Sequence, residues 1–119
     1  MATILIIDDT ETDRQLAAQV VRSMGNEVLF ATNGEEGFAR AKEVKPDLIL
    51  LDVVMPKQDG FATCRALKKE TATAEIPVVL ITSKAAETDK FWGKRQGAAA
   101  YLVKPYGPDA LRTVISGLV

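Results

Sequence analysis

Apolar residues along this chain fall into two alternating kinds of run. Ile4-Leu5-Ile6-Ile7, Leu48-Ile49-Leu50-Leu51 and Val78-Val79-Leu80-Ile81 are short and unbroken, and each ends on a polar residue. Such runs predict strands buried on both faces, as in a parallel sheet. Glu27–Ala31 reads as a less apolar strand suited to a sheet edge, and residues 99–103 read as a fifth strand. Between these runs apolar residues recur at helical spacing. Leu16, Ala17, Val20, Val21 and Met24 predict one inward stripe, and Phe38, Ala39 and Ala41 a second. Phe61, Cys64, Leu67 and Lys68 predict a third, and Leu111, Val114, Ile115 and Leu118 the last. Residues 84–96 form a mostly polar helix, with at least one of its adjacent aromatics, Phe91 and Trp92, expected in the core.

The punctuation agrees with this reading. Thr10 with Asp13 three residues later forms a variant capping box, and Asn33 with Glu36 opens the second helix in the same way. Gly25 and Gly97 stop helices, Lys45-Pro46 ends another, and Gly107-Pro108 suits a first turn. Pro56 prevents the central strand from running on, and Lys57-Gln58-Asp59-Gly60 is a polar turn. A polar connection over residues 71–75 leads to the fourth strand. Five strands thus alternate with five helices, as βαβ units require, and right-handed crossovers favour a doubly wound parallel sheet. One domain over residues 1–119 is expected, with no further folded unit.

Composition narrows the chemistry. Fifteen basic and sixteen acidic residues leave a formal charge of −1, which gives no footprint for nucleic acid or membrane. The start lacks the basic region of a signal peptide, and no apolar run is long enough to span a bilayer. A lone cysteine, Cys64, forms no internal disulfide and reads as a small core residue, so a cytoplasmic protein is expected. With no histidine in the chain, histidine-based triads, histidine-ligated metals and phosphohistidine chemistry are excluded. The remaining chemistry belongs to carboxylates, hydroxyls and lysines.

Those groups stand where the strands finish: Asp8 and Asp9 after the first, Asp52 after the third, Thr82 after the fourth and Lys104 after the fifth. Parallel strands bring these residues to one edge, where open α/β sheets bind ligands. Clustered carboxylates repel one another unless a cation lies among them, and hard oxygen ligands suit Mg²⁺ or Mn²⁺. Thr82 offers a hydroxyl donor, Lys104 a compact positive charge, and an aspartate carboxylate is itself a phosphoryl acceptor. Singly each residue has an ordinary alternative: a turn at Asp8 or Asp9, a helix cap at Thr82, a solvated Lys104. Four strand ends with compatible groups are harder to explain that way.

In this order and spacing the residues are specific. Asp8-Asp9, Asp52 with Met55-Pro56 and Asp59-Gly60, Thr82, and Lys104-Pro105 resemble the response-regulator receiver family of two-component signalling along essentially the whole chain. The resemblance implies a flavodoxin-like α/β/α fold with a five-stranded sheet of order 2-1-3-4-5. It also implies phosphorylation at Asp52 and Mg²⁺ held by Asp9, Asp52 and the Val54 carbonyl, with Asp8 acting mainly through water. Thr82 and Lys104 would bind phosphoryl oxygens, the peptide before Pro105 would be cis, and Tyr101 would be the aromatic that switches with Thr82. The residues flanking the hydrolytic water would be Val54 and Lys84, and neither assists that water, so slow self-dephosphorylation is expected. Such a protein accepts and loses its own phosphoryl group without being an enzyme in the ordinary sense.

The stretch from Glu87 to Gly97 is similar to stand-alone twitching-motility regulators of the PilH type. That likeness implies a histidine kinase of a chemotaxis-like system as donor, an unidentified downstream protein such as pilus machinery, and a monomer. Three other readings compete. A flavodoxin-like cofactor binder fails because Asp8-Asp9-Thr10-Glu11 repels phosphate in the absence of a metal. An aspartyl phosphatase needs a cap for which 119 residues leave little room. A receiver fold serving only as a binding module or phosphate sink is the serious alternative.

Overall fold

The unbroken aliphatic runs form strands and the periodic segments form helices, in strict alternation. The computed structural model describes residues 1–55 and 59–119; the stop expected at Pro56 and the turn residues Lys57 and Gln58 lie outside the described residues. The elements are β1 (Thr3–Ile7), α1 (Glu11–Ser23), β2 (Glu27–Ala31), α2 (Gly34–Val44) and β3 (Leu48–Asp52), followed by α3 (Gly60–Lys69), β4 (Val78–Thr82), α4 (Glu87–Arg95), β5 (Ala100–Val103) and α5 (Pro108–Ser116). The sheet is parallel throughout with order 2-1-3-4-5.

Strand periodicity divides the core into two layers. Ile4, Ile6, Leu48, Leu50, Val79 and Ile81 pack with α1 and α5 through Ala17, Val21, Leu111 and Ile115. Their alternates Leu5, Ile7, Ile49, Leu51 and Leu80 pack with Ala41, Cys64 and Leu67 on the opposite face. Buried on both sides, β1, β3 and β4 have no room for a polar residue until they end.

Several helix details depart from the sequence reading. In α1 the capping box does not form: the Thr10 side chain makes no cap hydrogen bond. Asp13 accepts instead from Lys104, because a charged donor offers roughly twice the strength of a backbone amide. Leu16 is 54% exposed. At about 100° per residue the stripe centres on Ala17 and Val21, which leaves Leu16 beyond its edge. In α2 the Asn33 and Glu36 cap does form, with Asn33 Oδ1 accepting from the Glu36 amide at 2.9 Å. Ala39 is exposed, and Gly34 and Gly37 are buried in its place. A Cβ at Gly37 would run into Ile7, so the helix lies unusually close to β1.

The connection after α3 is less polar than its sequence suggests. Thr73 is fully buried and donates to the Leu67 carbonyl at 2.6 Å. Lys68 Nζ donates to the carbonyls of Ala74 and Ile76 and closes the same turn. Helix α4 begins at Glu87 and not at residue 84. Phe91 and Trp92 are 57% and 54% exposed, so neither enters the core. The one buried residue of α4 is Gly93, against which Tyr101 and Leu80 pack. The helix approaches β5 through its backbone, which turns its large side chains outward.

Candidate functional site at the carboxyl edge of the sheet

Register explains the convergence. Ile7 pairs with Leu51, so the next residues, Asp8 and Asp52, stand side by side at the ends of β1 and β3. Asp52 pairs with Ile81, and Thr82 pairs with Val103, which brings Thr82 and Lys104 to the same edge. Helix α3 starts against this edge because Gly60 has no side chain. A Cβ there would stand 2.6 Å from the Val53 Cα, and the Gly60 amide donates to the Val53 carbonyl at 2.7 Å.

Asp8 and Asp52 are buried at 6% and 7% exposure, whereas Asp9 is exposed. One oxygen from each lies within 4.8 Å of the others. Asp8 Oδ1 accepts from the Thr10 amide at 2.9 Å, and Asp52 Oδ1 accepts from the Val54 amide at 3.3 Å. Burial is the main force pushing the Asp52 carboxyl up to about 6, with the Asp8 charge next and Lys104 opposing. Lys104 Nζ donates to Asp13 Oδ2 at 2.8 Å and Asp8 Oδ2 at 3.0 Å, and lies 3.6 Å from Asp52 Oδ2. Burial disfavours the ammonium, but the bonds to Asp13 and Asp8 outweigh it and hold its pKa above the ordinary lysine value. The Lys104–Pro105 peptide is cis.

Asp8, Asp9, Asp52, Thr82 and Lys104 come together at this edge, whereas Tyr101 lies further back on β5, opposite Leu80 and against Gly93. Thr82 is fully buried and its Oγ1 accepts from the Lys84 amide at 3.2 Å. The Lys84 carbonyl in turn accepts from the Tyr101 hydroxyl at 2.9 Å. Val54 lies beside the acids with 53% exposure. Sequence reasoning assigned Asp13 to a helix cap and missed it as a site residue. The available signal was its place in the first turn after Asp8-Asp9, which the topology puts at the same edge.

The donor set fits a hard divalent cation: three carboxylates, two of them buried, with the Asp52 carboxyl pushed up mainly by burial and further by the Asp8 charge. A 2-1-3-4-5 sheet with an acidic cluster, a buried hydroxyl and a lysine at its carboxyl edge defines the receiver class of signalling domains, which bind Mg²⁺ at such an acidic pocket. The chain belongs to the response regulator receiver domain family, which matches residues 4–116. It is 44% identical over 119 residues to Protein PilH of Pseudomonas aeruginosa, covering 100% of this chain and 98% of that one. It is 36% identical to part of the sensor histidine kinase CheAY of Helicobacter pylori, over 94% of this chain and 14% of that one. Chemotaxis protein CheY4 of Vibrio cholerae superposes with a TM-score of 0.93 at 31% identity, covering 100% and 99% of the two chains. This is a CheY-like receiver of two-component signalling, similar to PilH. Among the described residues no helix is long and apolar enough to cross a membrane.

Proposed function

We propose that this chain is a phosphorylation-dependent switch in which Asp52 accepts a phosphoryl group from the histidine kinase of a chemotaxis-like system. The observation that carries the reading is Asp52 itself. It is buried at the end of the central strand, beside Asp8 and Asp9, with Lys104 Nζ 3.6 Å away. An Asp52 oxygen attacks phosphorus, an O–P bond forms, and the bond to the donor breaks with its electron pair leaving on the donor atom. Asp8, Asp9, Asp52 and the Val54 carbonyl would hold Mg²⁺, which supplies charge neutralisation at the phosphoryl oxygens. Lys104 supplies a further positive charge, and the Thr82 hydroxyl can donate to a phosphoryl oxygen once it is reoriented.

The output face comprises α4, β5 and α5. Exposed Phe91 and Trp92 meet edge to face at 6.2 Å, beside a groove of about 440 Å³ walled by Phe91, Lys94 and Tyr101. Tyr101 lies on this face and is tied to Thr82 through Lys84, so events at Thr82 have a physical route to it. The PilH likeness favours twitching motility as the setting, with a cytoplasmic monomer acting on a pilus-associated protein.

The test is incubation with acetyl phosphate and Mg²⁺. One phosphoryl group should appear by mass spectrometry, be absent in Asp52→Asn, and fail to form when Mg²⁺ is chelated. An adduct of equal amount in Asp52→Asn would overturn the assignment.

A further inference from the structure

The Asp13 side chain has one hydrogen-bond partner among the described residues, and that partner is the site lysine. Lys104 Nζ reaches Asp13 Oδ2 at 2.8 Å and Asp8 Oδ2 at 3.0 Å, but Asp52 Oδ2 only at 3.6 Å. The ammonium thus leans toward α1 and away from Asp52. It has three donors, two of which are engaged by these carboxylates. Asp13 lies outside the trio of carboxylates that would hold a cation. A cation that draws on Asp8 thus competes with Lys104 for that carboxylate and not for Asp13. Its carboxylate is 36% exposed, while the Lys104 side chain is 20% exposed. The pair sits at the wall of a groove of about 490 Å³ between α1 and the β5–α5 connection, lined also by apolar residues such as Leu16, Val20 and Pro105.

We propose that Asp13 is a positioning residue that holds the Lys104 ammonium toward α1 and competes for it with a phosphoryl group on Asp52. The inference rests on Asp52 being the acceptor. A phosphoryl group carries more negative charge than a carboxylate and draws the third donor of Lys104 toward it, against the pull of the bond to Asp13 on the other side of the ammonium. Asp13 therefore lowers the affinity of the site for phosphoryl groups and leaves the metal carboxylates untouched. A purely structural role predicts the reverse, since loosening α1 would weaken every ligand.

Beryllofluoride, which stands in for the phosphoryl group on a carboxylate, is titrated calorimetrically at saturating Mg²⁺, and Mg²⁺ is titrated alone. Asp13→Asn should bind beryllofluoride about fivefold tighter than wild type, with Mg²⁺ affinity equal or slightly lower. Asp13→Glu, whose carboxylate still reaches Lys104, should restore wild-type behaviour. In a Lys104→Ala background Asp13→Asn should change nothing. Wild type that binds while Asp13→Asn binds no tighter overturns this inference alone. Wild type that takes up no beryllofluoride overturns the acceptor reading, and this inference with it. Far-UV circular dichroism and melting of each variant identify any that fail to fold, and Asp13→Ala then replaces Asp13→Asn.

Discussion

The Tyr101 hydroxyl donates to the Lys84 carbonyl at 2.9 Å, while the Lys84 amide donates to Thr82 Oγ1 at 3.2 Å. One residue of the β4–α4 loop thus holds the last side chain of β4 and the aromatic of β5 together. Lys84 lies outside α4, which starts at Glu87 after an extended Ala86.

Gly93 makes room for this arrangement. A Cβ at position 93 would stand 2.8 Å from the Tyr101 ring and 3.1 Å from Leu80. Gly93→Ala should therefore lower stability by about 1–3 kcal/mol despite the helix preference for alanine. In Tyr101→Ala most of that cost should vanish. Urea denaturation of the four proteins of this cycle measures it, and equal costs in both backgrounds would rule the close approach out as the cause.

Phosphoryl binding should be felt first along this link. Amide hydrogen exchange with and without beryllofluoride and Mg²⁺ should change most over residues 82–106, which contain the Thr82, Lys84 and Tyr101 bonds and the sparsely buried α4. Unchanged protection there, with changes confined to α1 and α2, would place the output face elsewhere.

The lifetime of the phosphorylated state should depend on Val54. Its side chain is 53% exposed beside Asp52 and has no group with which to hold a water, while Lys84 carries donors but no acceptor. Decay after donor removal should be slow, and Val54→Asn should accelerate it several-fold at fixed Mg²⁺. Equal decay rates would show that this position does not control the water.

Stability should report the Asp52 carboxyl. Its folded pKa of about 6 lies above the ordinary value of 3.8, mainly through burial and then through Asp8. The favourable protonated form is fully present below pH 3.8 and is lost as pH rises through about 6. At neutral pH the ionised group costs on the order of 1–3 kcal/mol. Asp52→Asn should thus melt higher than wild type at pH 7.5, with the difference shrinking toward pH 4. Mg²⁺ should raise the wild-type melting temperature and leave Asp52→Asn much less affected. A difference independent of pH would point to packing and not to charge.

Much of this molecule is determined by the sequence alone. Unbroken runs such as Leu48–Leu51 have few ways to be buried other than in a parallel sheet, and the alternation with helices makes the doubly wound topology the natural one. With the order given, acids, a hydroxyl and a lysine that end successive strands must meet, so the positions of Asp8, Asp9, Asp52, Thr82 and Lys104 were legible before any coordinates. What only the tertiary structure decided lies where two elements compete for one group or one space. Thr10 and Asp13 satisfy the local rule for a capping box, but Lys104, distant in sequence, offers Asp13 a stronger partner. Phe91 and Trp92 have the hydrophobicity of core residues, yet Gly93 brings the α4 backbone onto Tyr101 and turns both aromatics to solvent. Local propensity is a difference of about 1 kcal/mol per residue, and a single tertiary contact of that size is enough to reverse it.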